Sequence, residues 1–211
     1  MTKLAFCDLE GTLINKGQWE KIADKFGAAD WYKDFLKRYD EGRVSYEEGR
    51  RDLEKIWKDK VTKQQMIDVL KDYEVFEGAR ELIKGLKKKG FKVIVITGAI
   101  SVLAELAKED LEIDEIYPAR EFIFDEKGFF QKIKEHPTYR RGEGKIDIIK
   151  GIIEKEGADI EECIAIGGDD INDYWMMKDL RSFAVKPHLN RIKEVVDYNV
   201  DSLIEILDHI E

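Results

Sequence analysis

Four short apolar runs constrain this chain more than any other feature. Leu4-Ala5-Phe6-Cys7 ends in Asp8, and Lys92-Val93-Ile94-Val95-Ile96 ends in Thr97-Gly98. Cys163-Ile164-Ala165-Ile166 ends in Gly167-Gly168-Asp169, and Ser182-Phe183-Ala184-Val185 stops before Lys186-Pro187. Runs of four or five residues that are apolar on both faces read as strands buried from both sides. Between them the apolar period becomes helical: Ala79, Leu82, Ile83 and Leu86; Ile100, Leu103, Leu106 and Ala107; Ile146, Ile149, Ile152 and Ile153. Strand alternating with helix predicts an α/β fold, a parallel sheet with helices on both faces. Ligands of such sheets sit at the carboxyl ends of the strands.

Residues 15–75 break the pattern. They carry no strand signal and read as four short helices, two of them opened by capping boxes, Ser45-x-x-Glu48 and Thr62-x-x-Gln65. Gly27, Gly42 and Asp59-Lys60 mark the breaks, and Trp19, Trp31, Tyr32, Phe35, Tyr39, Tyr46 and Trp57 make the segment rich in aromatics. It reads as a helical module inserted after the first strand. A second, smaller insert is expected after Pro118, a β-hairpin from Glu121-Phe122-Ile123-Phe124 to Phe129-Phe130.

Composition excludes several classes. With 43% hydrophobic residues in 211, a core can form and the chain is not disordered. A net charge of −9 disfavours nucleic acid as a partner. No apolar run approaches the roughly 18 residues of a membrane span, and the first residues lack a signal-peptide core. Cys7 and Cys163 form no disulfide framework, so a cytoplasmic location is expected. Four Asn and four Gln among abundant Lys and Glu fit a heat-adapted protein.

The chemistry lies where the strands end. If they are neighbours, Asp8, Glu10, Asp169 and Asp173 converge on one crevice. Four close carboxylates repel by on the order of a few kcal/mol per pair, so some protonate or a cation sits among them. Carboxylates with room for substrate oxygens suit Mg²⁺, and a phosphate ester would complete its shell. Thr97, the amides after it and Lys145 at the head of the 146–153 helix could hold the phosphate oxygens.

Taken in order, Asp8-Leu9-Glu10-Gly11-Thr12, Thr97-Gly98, Lys145 and Gly168-Asp169-Asp170-Ile171-Asn172-Asp173 resemble the motifs of the haloacid dehalogenase superfamily. The likeness is closer to its phosphoserine-phosphatase-like branch, which places a four-helix cap between the first two motifs. The resemblance implies a Rossmann-like core of residues 1–14 and 76–211 and a cap of residues 15–75. It implies a Mg²⁺-dependent phosphatase for a small phosphorylated metabolite, monomeric or homodimeric, working through an aspartyl-phosphate. Asp8 would be nucleophile and metal ligand, and Glu10 the acid/base with its carbonyl on the metal. Thr97, Gly98, Lys145 and Asn172 would hold the phosphoryl group, Asp169 would bind the metal, and Asp173 would orient metal-bound water.

Two departures bear on activity. Glu10 stands where the family usually has Asp, and a displacement of about 1 Å can cost about 10²-fold in rate. That favours slower hydrolysis, transfer to another alcohol, or a catalytically weak phosphoryl-binding protein. The cap positions that contact serine's ammonium and carboxylate in phosphoserine phosphatases align with Gly17 and Leu53 here, which puts phosphoserine in doubt. Glu20, Arg50 and Arg51 are the nearby charged residues, and Trp19 or Tyr46 is expected on the substrate side. His136, His188 and His209 have no metal-ligand spacing, and Cys7 is read as packing.

Overall fold

The computed structural model describes residues 2–136, 144–168 and 171–210; Asp169 and Asp170 lie outside them. Seven strands form one sheet: β1 (Lys3–Cys7), β2 (Phe91–Ile100), β3 (Glu115–Phe124), β4 (Phe130–Glu135), β5 (Cys163–Gly167), β6 (Arg181–Val185) and β7 (Tyr198–Val200). Their order is β4-β3-β2-β1-β5-β6-β7, and every pair is parallel except β3–β4. The chain builds outward from β1 in both directions, so the order reverses beside it, which is where an open α/β sheet leaves a crevice. Register brings the chemistry level: Cys7 lies opposite Val95 of β2 and Ile166 of β5, so Asp8, Thr97 and Gly168 lie close to one another at the carboxyl ends of β1 and β5.

Side chains alternate along each strand and feed two apolar layers. Ala5, Cys7, Val93, Val95, Ile164 and Ile166 face one, with helices α5 (Ala79–Lys88) and α6 (Ser101–Asp110). Leu4, Phe6, Ile94, Ile96 and Ala165 face the other, with α7 (Gly144–Glu156) and α8 (Tyr174–Asp179). Each fully buried Ile, Leu or Phe contributes about 1.5–3 kcal/mol. Burial also pushes the Cys7 thiol up to about 12, with the neighbouring Asp8 charge adding to it, so Cys7 stays a neutral packing group.

Residues 15–75 contain α1 (Gln18–Lys25), α2 (Ala29–Asp40), α3 (Tyr46–Trp57) and α4 (Lys63–Leu70), four helices as the capping boxes and breaks lead one to expect. Both capping boxes are formed. Entry and exit run side by side: Ile14 bridges Val75, Asn15 N–H donates to the Glu74 carbonyl and Phe76 N–H to that of Leu13.

The sheet differs from expectation in three places. The hairpin expected after Pro118 is not a separate insert: its first strand starts at Glu115, pairs in parallel with β2 and runs on without interruption into the hairpin. Its charges and Pro118 hide it, because a strand with one covered face need not be apolar throughout. Strand β2 runs past Thr97-Gly98 to Ile100, with a register shift between Thr97 and Ile100 that bends the ladder there. The short edge strand β7 has only three residues, too few for a periodic signal.

Candidate active site

The strand-end residues gather under one cavity of about 350 Å³, lined by Asp8, Glu10, Thr97, Gly98, Lys145 and Asn172 from below. Asp8 extends β1, its N–H donating to the Ile166 carbonyl at 2.9 Å. The chain then turns: the Leu9 carbonyl accepts from the N–H groups of Thr12, Leu13 and Ile14, which sets Glu10 on the cavity wall. Thr97 is buried where the β2 ladder shifts, its Oγ1 accepting from the Ala99 N–H at 3.1 Å, so its own proton is free to be donated elsewhere.

Lys145 connects two of the motifs. Its Nζ donates to Asp8 Oδ1 and, at 2.5 Å, to Asp173 Oδ1, with all three side chains buried. The other oxygen of Asp173 accepts the Gly168 N–H at 2.8 Å. Asp173 is thus fully enclosed beneath the cavity rather than on its wall, and it fixes both Lys145 and the backbone that follows β5. That backbone must be glycine. Gly168 has φ of +101°, and a Cβ there would lie 2.8 Å from that of Ala184.

The roof comes from the helical insertion and β3. Trp19, Glu20, Trp31, Tyr32, Phe35 and Tyr46 line it, as do Gly17 and Leu53, the two positions that depart from the phosphoserine pattern. Burial and the Glu20 and Glu10 charges push the Tyr32 phenol up, so it stays protonated beside them. Arg50 is on the wall but committed, donating to Glu54 at 2.7 Å and to the Ile133 carbonyl at 3.0 Å, while Arg51 pairs with Glu47 on the surface. Arg120, which the sequence pattern does not single out, also reaches the cavity. Only the adjacency of β3 to β2 puts it there, and β3 is the strand that composition conceals.

The donors around Asp8 are oxygens, which suits a hard cation rather than a soft one. Among the described residues no group of three His, Cys, Asp or Glu side chains could hold a metal, and Asp169, the remaining expected ligand, lies outside them. Among the described residues no helix is long and apolar enough to cross a membrane.

A parallel sheet with this strand-end constellation and a helical insertion defines a class of hydrolase. The family model for haloacid dehalogenase-like hydrolases matches residues 2–181, and the chain belongs to that family. Among its relatives is a phosphoserine phosphatase of Methanocaldococcus jannaschii, 29% identical over 99% of this chain and 98% of the other. Another is a phosphoserine phosphatase of Lactococcus lactis, 26% identical over 99% and 95% of the two chains. A solved structure of a phospho-aspartyl intermediate analogue of phosphoserine phosphatase is 27% identical with a TM-score of 0.77, covering 100% of this chain and 99% of that one. Within the family the chain falls in the phosphoserine-phosphatase-like branch and is a phosphatase.

Proposed function

We propose that the chain hydrolyses a phosphomonoester of a small metabolite by way of a phosphoryl group carried on Asp8. The observation that carries this reading is the buried Lys145 ammonium bridging Asp8 and Asp173 at the floor of a cavity shared with Thr97, Gly98 and Glu10. A carboxylate beside an ammonium stays ionised and nucleophilic. An Asp8 oxygen attacks phosphorus while the ester oxygen leaves, taking a proton from the Glu10 carboxyl. Glu10, now a carboxylate, deprotonates water, whose oxygen attacks phosphorus, releasing inorganic phosphate and restoring Asp8. Lys145, Thr97 and Asn172 hold the phosphoryl oxygens, and Asp173 keeps Lys145 in place.

Asp8 and Asp169, with the Glu10 carbonyl, would hold Mg²⁺, which when bound supplies charge neutralisation to the phosphoryl oxygens. Residues 15–75 would act as the cap and residues 1–14 with 76–211 as the core. The aromatic roof would exclude water and select the alcohol portion.

The test is Asp8→Asn, which keeps the shape and removes the nucleophile. Turnover of p-nitrophenyl phosphate in Mg²⁺ is expected to fall by about 10³-fold or more, with unfolding nearly unchanged. Turnover surviving at the parent rate removes Asp8 from the mechanism.

A further inference from the structure

The phosphatase reading concerns the floor of the cavity; the inference that follows rests on it and concerns what the roof receives. Arg120 lies on β3, opposite Ile100 of β2 and Glu135 of β4. It is half-buried on the cavity wall. Its Nη1 donates to the Gly98 carbonyl at 2.6 Å and its Nε to the Tyr46 hydroxyl. The guanidinium carbon sits 4.5 Å from the Tyr46 ring centre and 5.9 Å from that of Trp19. Two hydrogen bonds and two rings therefore fix its position before any ligand arrives.

What Arg120 lacks is a counter-charge. Among the described residues it makes no ion pair, although Glu135 stands directly across the strand pair. Two other cations of the cavity are neutralised, Lys145 by Asp8 and Asp173, and Arg50 by Glu54. Two of the five guanidinium N–H groups are used, leaving three with no partner among the described residues. A half-buried cation without an anion is costly unless a ligand supplies one. The three remaining N–H groups lie on Nη1 and Nη2, and that end of the planar guanidinium accepts a carboxylate through two parallel bonds.

We infer that Arg120 is the residue that recognises a carboxylate on the alcohol portion of the substrate. A monoanion matches the one charge of the Arg120 guanidinium. A second phosphate would bring more negative charge to a cavity already lined by Asp8, Glu10 and Glu20. The anchor of Arg120 on the Gly98 carbonyl keeps this receptor next to the Thr97-Gly98 stretch of β2 that faces the phosphoryl site, so the substrate is short.

The experiment is calorimetric binding to the Asp8→Asn protein in Mg²⁺, with phosphoglycolate and ethyl phosphate as probes; they differ in a carboxylate for a methyl. Phosphoglycolate is expected to bind at least ten-fold more tightly. Arg120→Gln on that background should erase the difference while leaving ethyl phosphate within about two-fold, and Arg120→Lys should keep part of it. Equal affinity for the two esters in the Asp8→Asn protein overturns the inference and leaves the phosphatase reading standing. Loss of both esters together in both Arg120 variants also overturns it, since Arg120 would then be a strut between Gly98 and Tyr46. If neither ester binds before Arg120 is changed, the cavity does not take phosphomonoesters, and the underlying reading falls with it.

Discussion

Lys145 occupies the first turn of α7, where the partial positive charge of a helix start disfavours a cation. It is nevertheless buried, because two carboxylates offset that penalty and its desolvation. Removing the ammonium would leave Asp8 and Asp173 facing each other in a poorly hydrated site. Breaking a buried pair in this way typically costs about 3–5 kcal/mol. Lys145→Met is therefore expected to lose about that much stability in urea unfolding with chelator present. Its phosphatase turnover should fall by about 10²-fold or more, since the phosphoryl oxygens lose the ammonium that would hold them beside Asp8. A variant as stable as the parent would show that the two carboxylates do not depend on Lys145.

At the scale of elements, α3 packs against α2 through a glycine. Gly49 is interior to α3, where alanine is ordinarily worth about 1 kcal/mol more. A Cβ at Gly49, however, would lie 2.1 Å from an atom of the Phe35 ring. Phe35 is stacked between Trp31 and Tyr39, with ring centres at 5.3 and 5.6 Å, so it has little room to yield. Overpacking of this kind costs about 1–3 kcal/mol. Net of that propensity gain, Gly49→Ala should destabilise the chain by up to about 2 kcal/mol and raise KM, because Phe35 lines the cavity. A gain of about 1 kcal/mol with KM unchanged would mean that Phe35 moves aside freely. The same scale explains what the sequence could disclose. Strands β1, β2, β5 and β6 are covered on both faces, so their apolar runs are visible without a structure, and the chemistry at their ends is visible with them. Strand β3 carries Glu115, Pro118, Arg120 and Glu121, and its place beside β2 is a tertiary fact. Arg120 reaches the site through that adjacency, and Trp31 and Tyr32 through the seating of α2 over the cavity, not through any spacing. Trp19 and Tyr46 were foreseeable as aromatic candidates, but the ring-on-guanidinium contact that joins them to Arg120 was not.

For the whole molecule, the insertion and the sheet share one apolar interior. A single buried cluster runs from Cys7 and Val95 of the sheet through Phe122 and Phe130 of the hairpin to Ile22, Leu53, Trp57 and Leu70 of the insertion. The hairpin is the connector. Trp57 lies 6.4 Å from Phe122 and 6.1 Å from Phe130, ring centre to ring centre, and its indole N–H donates to the Phe26 carbonyl at 3.1 Å. Backbone bonds from Asp59 to the Phe130 carbonyl and from Phe130 to that of Val61 tie the α3–α4 link to β4. An insertion held by shared core and backbone pairing has no separate core to fall back on, so it should unfold with the sheet. Calorimetry is expected to show one cooperative transition, at a temperature above the roughly 45–65 °C usual for mesophilic domains, in keeping with the Lys/Glu-rich, amide-poor composition. Trp57→Ala removes a fully buried side chain and should cost about 3–5 kcal/mol. Because the cluster is continuous, that loss should lower the one transition as a whole and leave it single. Two resolved transitions in the parent would show that the insertion is an independent unit, and a Trp57→Ala trace that splits would show that this one side chain carries the coupling.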